Sequence, residues 1–439
     1  MRSNYQIVTG VVLWLACSVA MAVPTIQHWK MTNGAHVYFV ATDGLPIVDA
    51  RVVFNAGSAY DGRYSGLAAL TSSLLDQGAA GQNAQQIAEQ LESVGAQLST
   101  GSSRDFSTLS FRSLSDPKAL APAWAVFKMV LNKPDFPEKD FKREKQRNLL
   151  SIKRRQESPG VLAQLALYKE IYKGHPYANP IQGDAVSVAG ISLIELNNFY
   201  KTYYVANNAK LVLVGGISRQ QAEKMAQELL ADLPSGQKAV AIAEVDDLTE
   251  GAAIHLEYPS QQTHLMYSLP VMAHNDADKF ALYLGNHILG GSGFSSRIVK
   301  EIREERGLAY SAYSYFHPMV QKGPFLIGLQ TQNEKRDEAV SAVKQTLLDF
   351  IEKGPTVQEL IAAKKNISGG FALRLDSNKK LLGSVVNIVA TDTPLNYLNT
   401  YLKNIDAVSV EQIKETFQRR LAVDKMVMVT VGQITGEKK

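Results

Sequence analysis

The stretch SLIELNNFYKTYYVANNAKLVLVGG, Ser192–Gly216, returns near the end of the chain as SVEQIKETFQRRLAVDKMVMVTVGQ, Ser409–Gln433, with no gap between the two copies. Ser192 pairs with Ser409, Leu193 with Val410, Leu196 with Ile413, Tyr200 with Phe417, Val212 with Val429 and Gly215 with Gly432. Each copy predicts a Ser-capped amphipathic helix, a turn, and a buried strand that stops at Gly. A shared order of elements at a fixed offset is the mark of duplication. The expectation is two homologous halves, 23–235 and 251–439, joined by a polar connector at 236–250 within SGQKAVAIAEVDDLTEG.

Working outward through the first half, HVYFV and DARVVFNAG alternate as strands, and Gly66–Asp76 reads as a helix. NAQQIAEQLESVG predicts a helix ending at Gly95, and AQLSTGSSRDFSTLSFRSL predicts a hairpin. A charged helix is expected from Glu138 to about Glu157, stopping before Pro159. The fold class is therefore α+β: two α/β-sandwich halves, each an antiparallel sheet with helices packed on one face.

With 439 residues, 45% of them hydrophobic and 20% charged, the chain can bury large cores without staples. The net charge of +4 is dispersed, with no basic tract interleaved with aromatics, which argues against nucleic acid as a partner. Arg2, the apolar run Ile7–Ala22 and the terminal Ala20-Met21-Ala22 predict a signal peptide over 1–22, with Val23 starting an exported mature chain. No later stretch is long enough to span a bilayer. Cys17 is the only cysteine; its context, Trp14-Leu15-Ala16-Cys17, matches a lipid-attachment site poorly. A mature chain without it has no thiolate for catalysis or metal binding.

Four separated segments then carry a resemblance: FNAGSAYDGRYSGLAALTSSLLDQGA (Phe54–Ala79), HPYANPIQGD (His175–Asp184), FYKTYYVANNAKLVLVGG (Phe199–Gly216) and LGGSGFSSRIVKEIREERGLAYS (Leu289–Ser311). Together, in this order, they resemble the pitrilysin-like inverzincin peptidases. The resemblance implies a clam-like pair of halves and, in active members, an HxxEH helix whose two His hold Zn²⁺ while the Glu polarises the attacking water. In GLAALTSSLL, Ala69 and Ser73 stand where the His would be and Ser72 where the Glu would be. Ser151 occupies the third-ligand position, with Glu144 two turns earlier at a supporting acidic position. No two of the eight histidines are spaced at i,i+4, and Ser72-Ser73 lacks the GxSxG setting of a nucleophile. His175, in HPY, reads as part of a structural turn.

The resemblance also implies a retained pair. Arg303 falls near a helix end closed by Gly307, and Tyr310 follows on the next strand. In the family an Arg and a Tyr at this spacing act across the chamber from the zinc, offering donors to a substrate carbonyl. The loop before them, Gly290-Gly291-Ser292-Gly293, lacks the Lys-Ser/Thr ending of a phosphate loop and reads as a turn beside the substrate path.

The implied function is that of a zinc-less subunit of a heterodimeric peptidase, of the kind seen in bacterial pairs and in mitochondrial processing peptidase. Such a chain holds no cofactor itself. It supplies Arg303 and Tyr310 in trans to a homologous subunit that carries Zn, and peptide or unfolded polypeptide is the substrate. Family habit places such an exported chain in the periplasm. The rival expectation is a non-enzymatic peptide-binding or scaffold protein of the cell envelope.

Overall fold

The computed structural model describes residues 24–434; the expected signal segment and Cys17 lie outside them. The repeated segment forms as its residues dictate. Ser192 and Ser409 each cap a helix (Leu193–Tyr203 and Val410–Arg420) in a capping box closed by Glu195 and Gln412. Each helix is followed by a short 3₁₀ turn and a strand.

The strands are β1 (Gln27–Lys30), β2 (His36–Ala41), β3 (Ile47–Phe54), the two-residue β4 (Gly78–Ala79) and β5 (Gln82–Asn83), β6 (Gln97–Ser102), β7 (Ser107–Leu114) and β8 (Ala209–Gly215) in the first half. They continue with β9 (Ala252–Glu257), β10 (Gln262–Met272), β11 (Ala309–Phe316), β12 (Gly323–Gln332) and β13 (Val427–Gly432) in the second. The first sheet runs β1-β2-β8-β3-β7-β6 and the second β11-β12-β10-β13-β9. Pairing is antiparallel except for one parallel pair in each sheet, β2 with β8 and β9 with β13. The repeat strand is thus inserted in the same way twice: it returns through a long helical connection, which permits the parallel partner.

Both sheets are covered on two faces, one more than the sequence pattern suggested. In β8, Leu211 and Leu213 join the core built with the first half's own helices, while Val212 and Val214 face the other way. That second face is covered by the helix Asn378–Ala390, through Leu381, Leu382, Val385 and Val389 from the second half. The exchange is reciprocal. The helix Pro159–Ile171 of the first half packs Ala163, Leu167 and Tyr168 over Val427, Val429 and Val431 of β13. A strand buried on both faces reads as continuous apolar sequence, as LVLV at Leu211–Val214 does. Which helix covers the second face is a tertiary outcome.

The connector forms no helix or strand over residues 231–251, yet it is tied down. Ile242 and Val245 are buried against the second sheet's cluster, and Gln321 Nε2 donates to the Ile242 carbonyl at 2.9 Å. Among the described residues no helix is long and apolar enough to cross a membrane.

Candidate functional site

Two constellations lie on different halves. The first is the helix Leu67–Leu74. Gly66 enters it at φ 97°, and a Cβ there would stand 2.8 Å from the Gln182 carbonyl oxygen, so the helix start is seated on the turn at Gln182-Gly183. Asp61 caps it from outside the sequence-adjacent position: its Oδ2 accepts from Gly66 N and its Oδ1 from Ala68 N, both at 2.7 Å. Burial pushes the Asp61 carboxyl up to about 7, against the two amide donors that favour its anion.

The residues on this helix do not suit zinc. Ala69 offers no donor atom. Ser73 Oγ donates to the Leu70 carbonyl at 2.9 Å. Ser72 is buried, and its Oγ has no partner. It stands with Ser107 beside the hydroxyl of Tyr204, whose phenol burial pushes up to about 12 against the opposing serines. A wall of hydroxyls replaces the base. Ser151 is exposed on the helix Glu138–Arg155, and Glu144 is engaged by Arg143 and Arg147 at 3.3 and 3.6 Å. Among the described residues no group of three or more His, Cys, Asp or Glu is arranged to hold a metal. Neutral hydroxyls are poor Zn²⁺ ligands beside imidazole and carboxylate, so the donor set does not fit the ion.

The second constellation is open. The turns His287–Gly291 and Lys300–Glu305 are wound as π-helices, a rare winding frequent at functional sites. Gly307 at φ 57° and the bond from Leu308 N to Ile302 O at 2.8 Å close the second turn, which leads into β11, the edge strand of its sheet. Arg303 lies between two rings, its guanidinium carbon 4.6 Å from the Phe294 centroid and 4.4 Å from that of Tyr310. Tyr310 is 82% exposed and Phe294 68%. Of the three acids on the same turn, Glu301 pairs with Arg306 at 2.6 Å and Glu305 with Lys300 at 3.6 Å, and among the described residues Glu304 pairs with no cation, Arg303 included. The guanidinium fork is thereby left to solvent and to whatever docks there.

The structure brings Arg303 and Tyr310 together, adds Phe294, and keeps this cluster in the other half of the chain from the helices that carry Ala69, Ser72, Ser73 and Ser151. Phe294 escaped the sequence reading, although it sits in the same GFSSR segment; a large exposed aromatic in a Gly-rich loop was the available signal. The loop needs one correction. Gly290 is buried, and a Cβ on it would lie 2.3 Å from Ser314 Oγ, so its role is to let the turn pack on β11. Gly291 is similarly close-packed on Asn286, 2.7 Å from Nδ2. Ser292 is half-buried, accepting from Ser295 Oγ at 3.0 Å, and Gly293 at φ 64° faces open space. His175 caps a turn, Nδ1 accepting from Tyr177 N at 3.1 Å, in line with a structural part.

Comparison with known proteins agrees with this geometry. Two family models match in tandem, Insulinase (Peptidase family M16) over residues 38–185 and Peptidase M16 inactive domain over 190–367. A solved peptidase M16 inactive domain from Pseudomonas fluorescens is 37% identical, covering 94% of this chain and 100% of its own, with a TM-score of 0.91. The chain belongs to the M16 peptidase family. With its vacant ligand positions it is an M16 member of the inactive type. The non-peptidase homolog YmxG of Helicobacter pylori is 27% identical over 428 residues, 96% of this chain and 98% of that protein. A protease structure from Helicobacter pylori shares the fold at a TM-score of 0.84 and 19% identity, covering 93% of this chain and 99% of that one.

Proposed function

We propose that this M16 protein is the zinc-less subunit of a heterodimeric metallopeptidase, paired with a homologous subunit that bears the zinc motif. The observation that carries the reading is the Arg303 cluster: a guanidinium with no ion pair among the described residues, flanked by exposed Tyr310 and Phe294, on a chain whose own metal positions hold Ala and Ser. In this reading the fork of Arg303 and the phenol of Tyr310 hold a peptide carbonyl in trans, and Phe294 fixes the guanidinium plane. Ser292 and Gly293 line the approach. Peptides or unfolded segments are the substrate, and the chain works outside the cytoplasm once residues 1–22 are removed.

The test is peptidase activity of the purified protein, alone and mixed with a zinc-motif homologue. The protein alone is expected to be inactive, with activity appearing on mixing. Arg303→Ala or Tyr310→Phe in this chain should then lower kcat by about 100- to 1000-fold, the usual loss for one preorganised donor. A mixed peptidase indifferent to Arg303→Ala would overturn the proposal. Peptide binding by a chain that activates no homologue would favour the non-enzymatic scaffold.

A further inference from the structure

A cavity of about 190 Å³ lies where the helices Lys279–Asn286, Asn378–Ala390 and Tyr397–Ala407 meet, away from the Arg303 cluster. Lys279 and Arg374 line it together with Phe280, Tyr283, Tyr397 and Tyr401. No Asp or Glu is among the lining residues. The nearest acids in sequence are committed elsewhere: Asp276 to Arg420, Asp278 to Arg419 and Arg420, and Asp376 to Lys380, at 2.5 to 3.0 Å. Lys279 Nζ therefore rests over rings, 4.3 Å from the Tyr397 centroid and 5.4 Å from that of Phe280. Arg374 donates only to phenols, to Tyr283 Oη at 2.7 Å and Tyr401 Oη at 3.3 Å. Burial lowers the Lys279 ammonium below its usual value, as expected of a cation without a counter-ion.

Two cations without a carboxylate, Lys279 half-buried and Arg374 exposed at the mouth, walled by four aromatic rings, are complementary to one kind of ligand. We propose that this cavity is a binding site for a small planar aromatic carboxylate, its carboxylate held by Lys279 and Arg374 and its ring stacked on the tyrosine wall. Guanidinium and ammonium donors give charge-assisted bonds to a carboxylate. Offset ring stacking supplies the apolar part. The cavity is smaller than the roughly 300–1000 Å³ of drug-sized sites, which limits the ligand to about one ring. Inorganic phosphate would satisfy the cations but leave the rings unused. Because the helix Asn378–Ala390 also covers the first sheet, an occupant would touch the element that ties the two halves together.

The experiment is calorimetric titration of the purified protein with benzoate, benzamide, benzylamine and inorganic phosphate at low salt. Benzoate is expected to bind with Kd below about 1 mM and the other three at least about tenfold more weakly. Lys279→Gln, which removes a charge that touches only rings, should weaken benzoate about tenfold, and Arg374→Gln by at least as much. A matched melting curve keeps the Lys279→Gln result decisive if Arg374→Gln disturbs folding. Absence of benzoate binding up to about 10 mM, equal binding of benzamide or phosphate, or unchanged affinity in folded Lys279→Gln would each overturn the site.

Discussion

Replacing Tyr177 by Phe tests whether the two halves are held by one buried polar knot. Tyr177 is fully buried at the HPY turn. Its hydroxyl donates to Asp105 Oδ1 and accepts from Gln321 N at 3.2 Å. Asp105 Oδ2 in turn accepts from Val320 N at 3.1 Å, so the first half's Asp105 and Tyr177 satisfy two amides of the second half. Phe keeps the ring's packing and deletes only the oxygen. The loss is one bond to a charged group, about 1.5–3 kcal/mol, plus about 1–3 kcal/mol for the orphaned Gln321 amide, together roughly 2.5–6 kcal/mol. Tyr172→Phe is the internal control: its hydroxyl donates to the Lys322 carbonyl at 3.0 Å, a neutral bond worth about 1 kcal/mol. Equilibrium urea unfolding, followed by tryptophan fluorescence and by proteolysis within the 231–251 connector, reads both. Tyr177→Phe should lower the midpoint far more than Tyr172→Phe and expose the connector before the sheets unfold. If the two variants lose equal stability, or Tyr177→Phe loses less than about 1 kcal/mol, the knot does not hold the halves.

Gly290→Ala should cost about 1–3 kcal/mol in urea unfolding through overpacking on Ser314, and a change within error would return Gly290 to the substrate path. Folded Asp61 keeps its proton up to about 7, whereas an unfolded Asp releases it near 4; this carboxyl therefore stabilises the fold at low pH and loses that contribution as pH rises through about 7. Asp61→Asn should accordingly flatten the fall in urea midpoint between about pH 4 and pH 7, and parallel slopes in the two proteins would refute the assignment. The wild-type protein should carry no stoichiometric zinc by elemental analysis. The triple variant Ala69→His, Ser73→His, Ser151→Glu should gain about one zinc per chain while staying inactive for want of a base at Ser72. A metal-free triple variant would mean that these positions do not converge.

Local chemistry was readable from the chain alone. The caps at Ser192 and Ser409, the hairpin of β6 and β7, the helix from Glu138 and the Gly307 turn before Tyr310 all follow from side chains that act within a few residues of themselves. The vacancy of the metal motif is likewise a property of residue identity, since Ala69 has no donor wherever it is placed. Duplication could be read because Ser192–Gly216 and Ser409–Gln433 keep the same pattern.

The tertiary structure decided what depends on residues far apart in the chain. LVLV at Leu211–Val214 announces burial on both faces, but periodicity within one strand carries no information about which distant helix covers it; Asn378–Ala390 does so because its Leu381 and Val385 face outward from its own half. The polarity of the Asp105–Tyr177 knot, the ring sandwich around Arg303 and the unpaired Lys279 arise in the same way. Each depends on which partners are already taken, as Glu301 is by Arg306 and Asp278 by Arg419 and Arg420, and that competition is resolved only when the whole chain is packed.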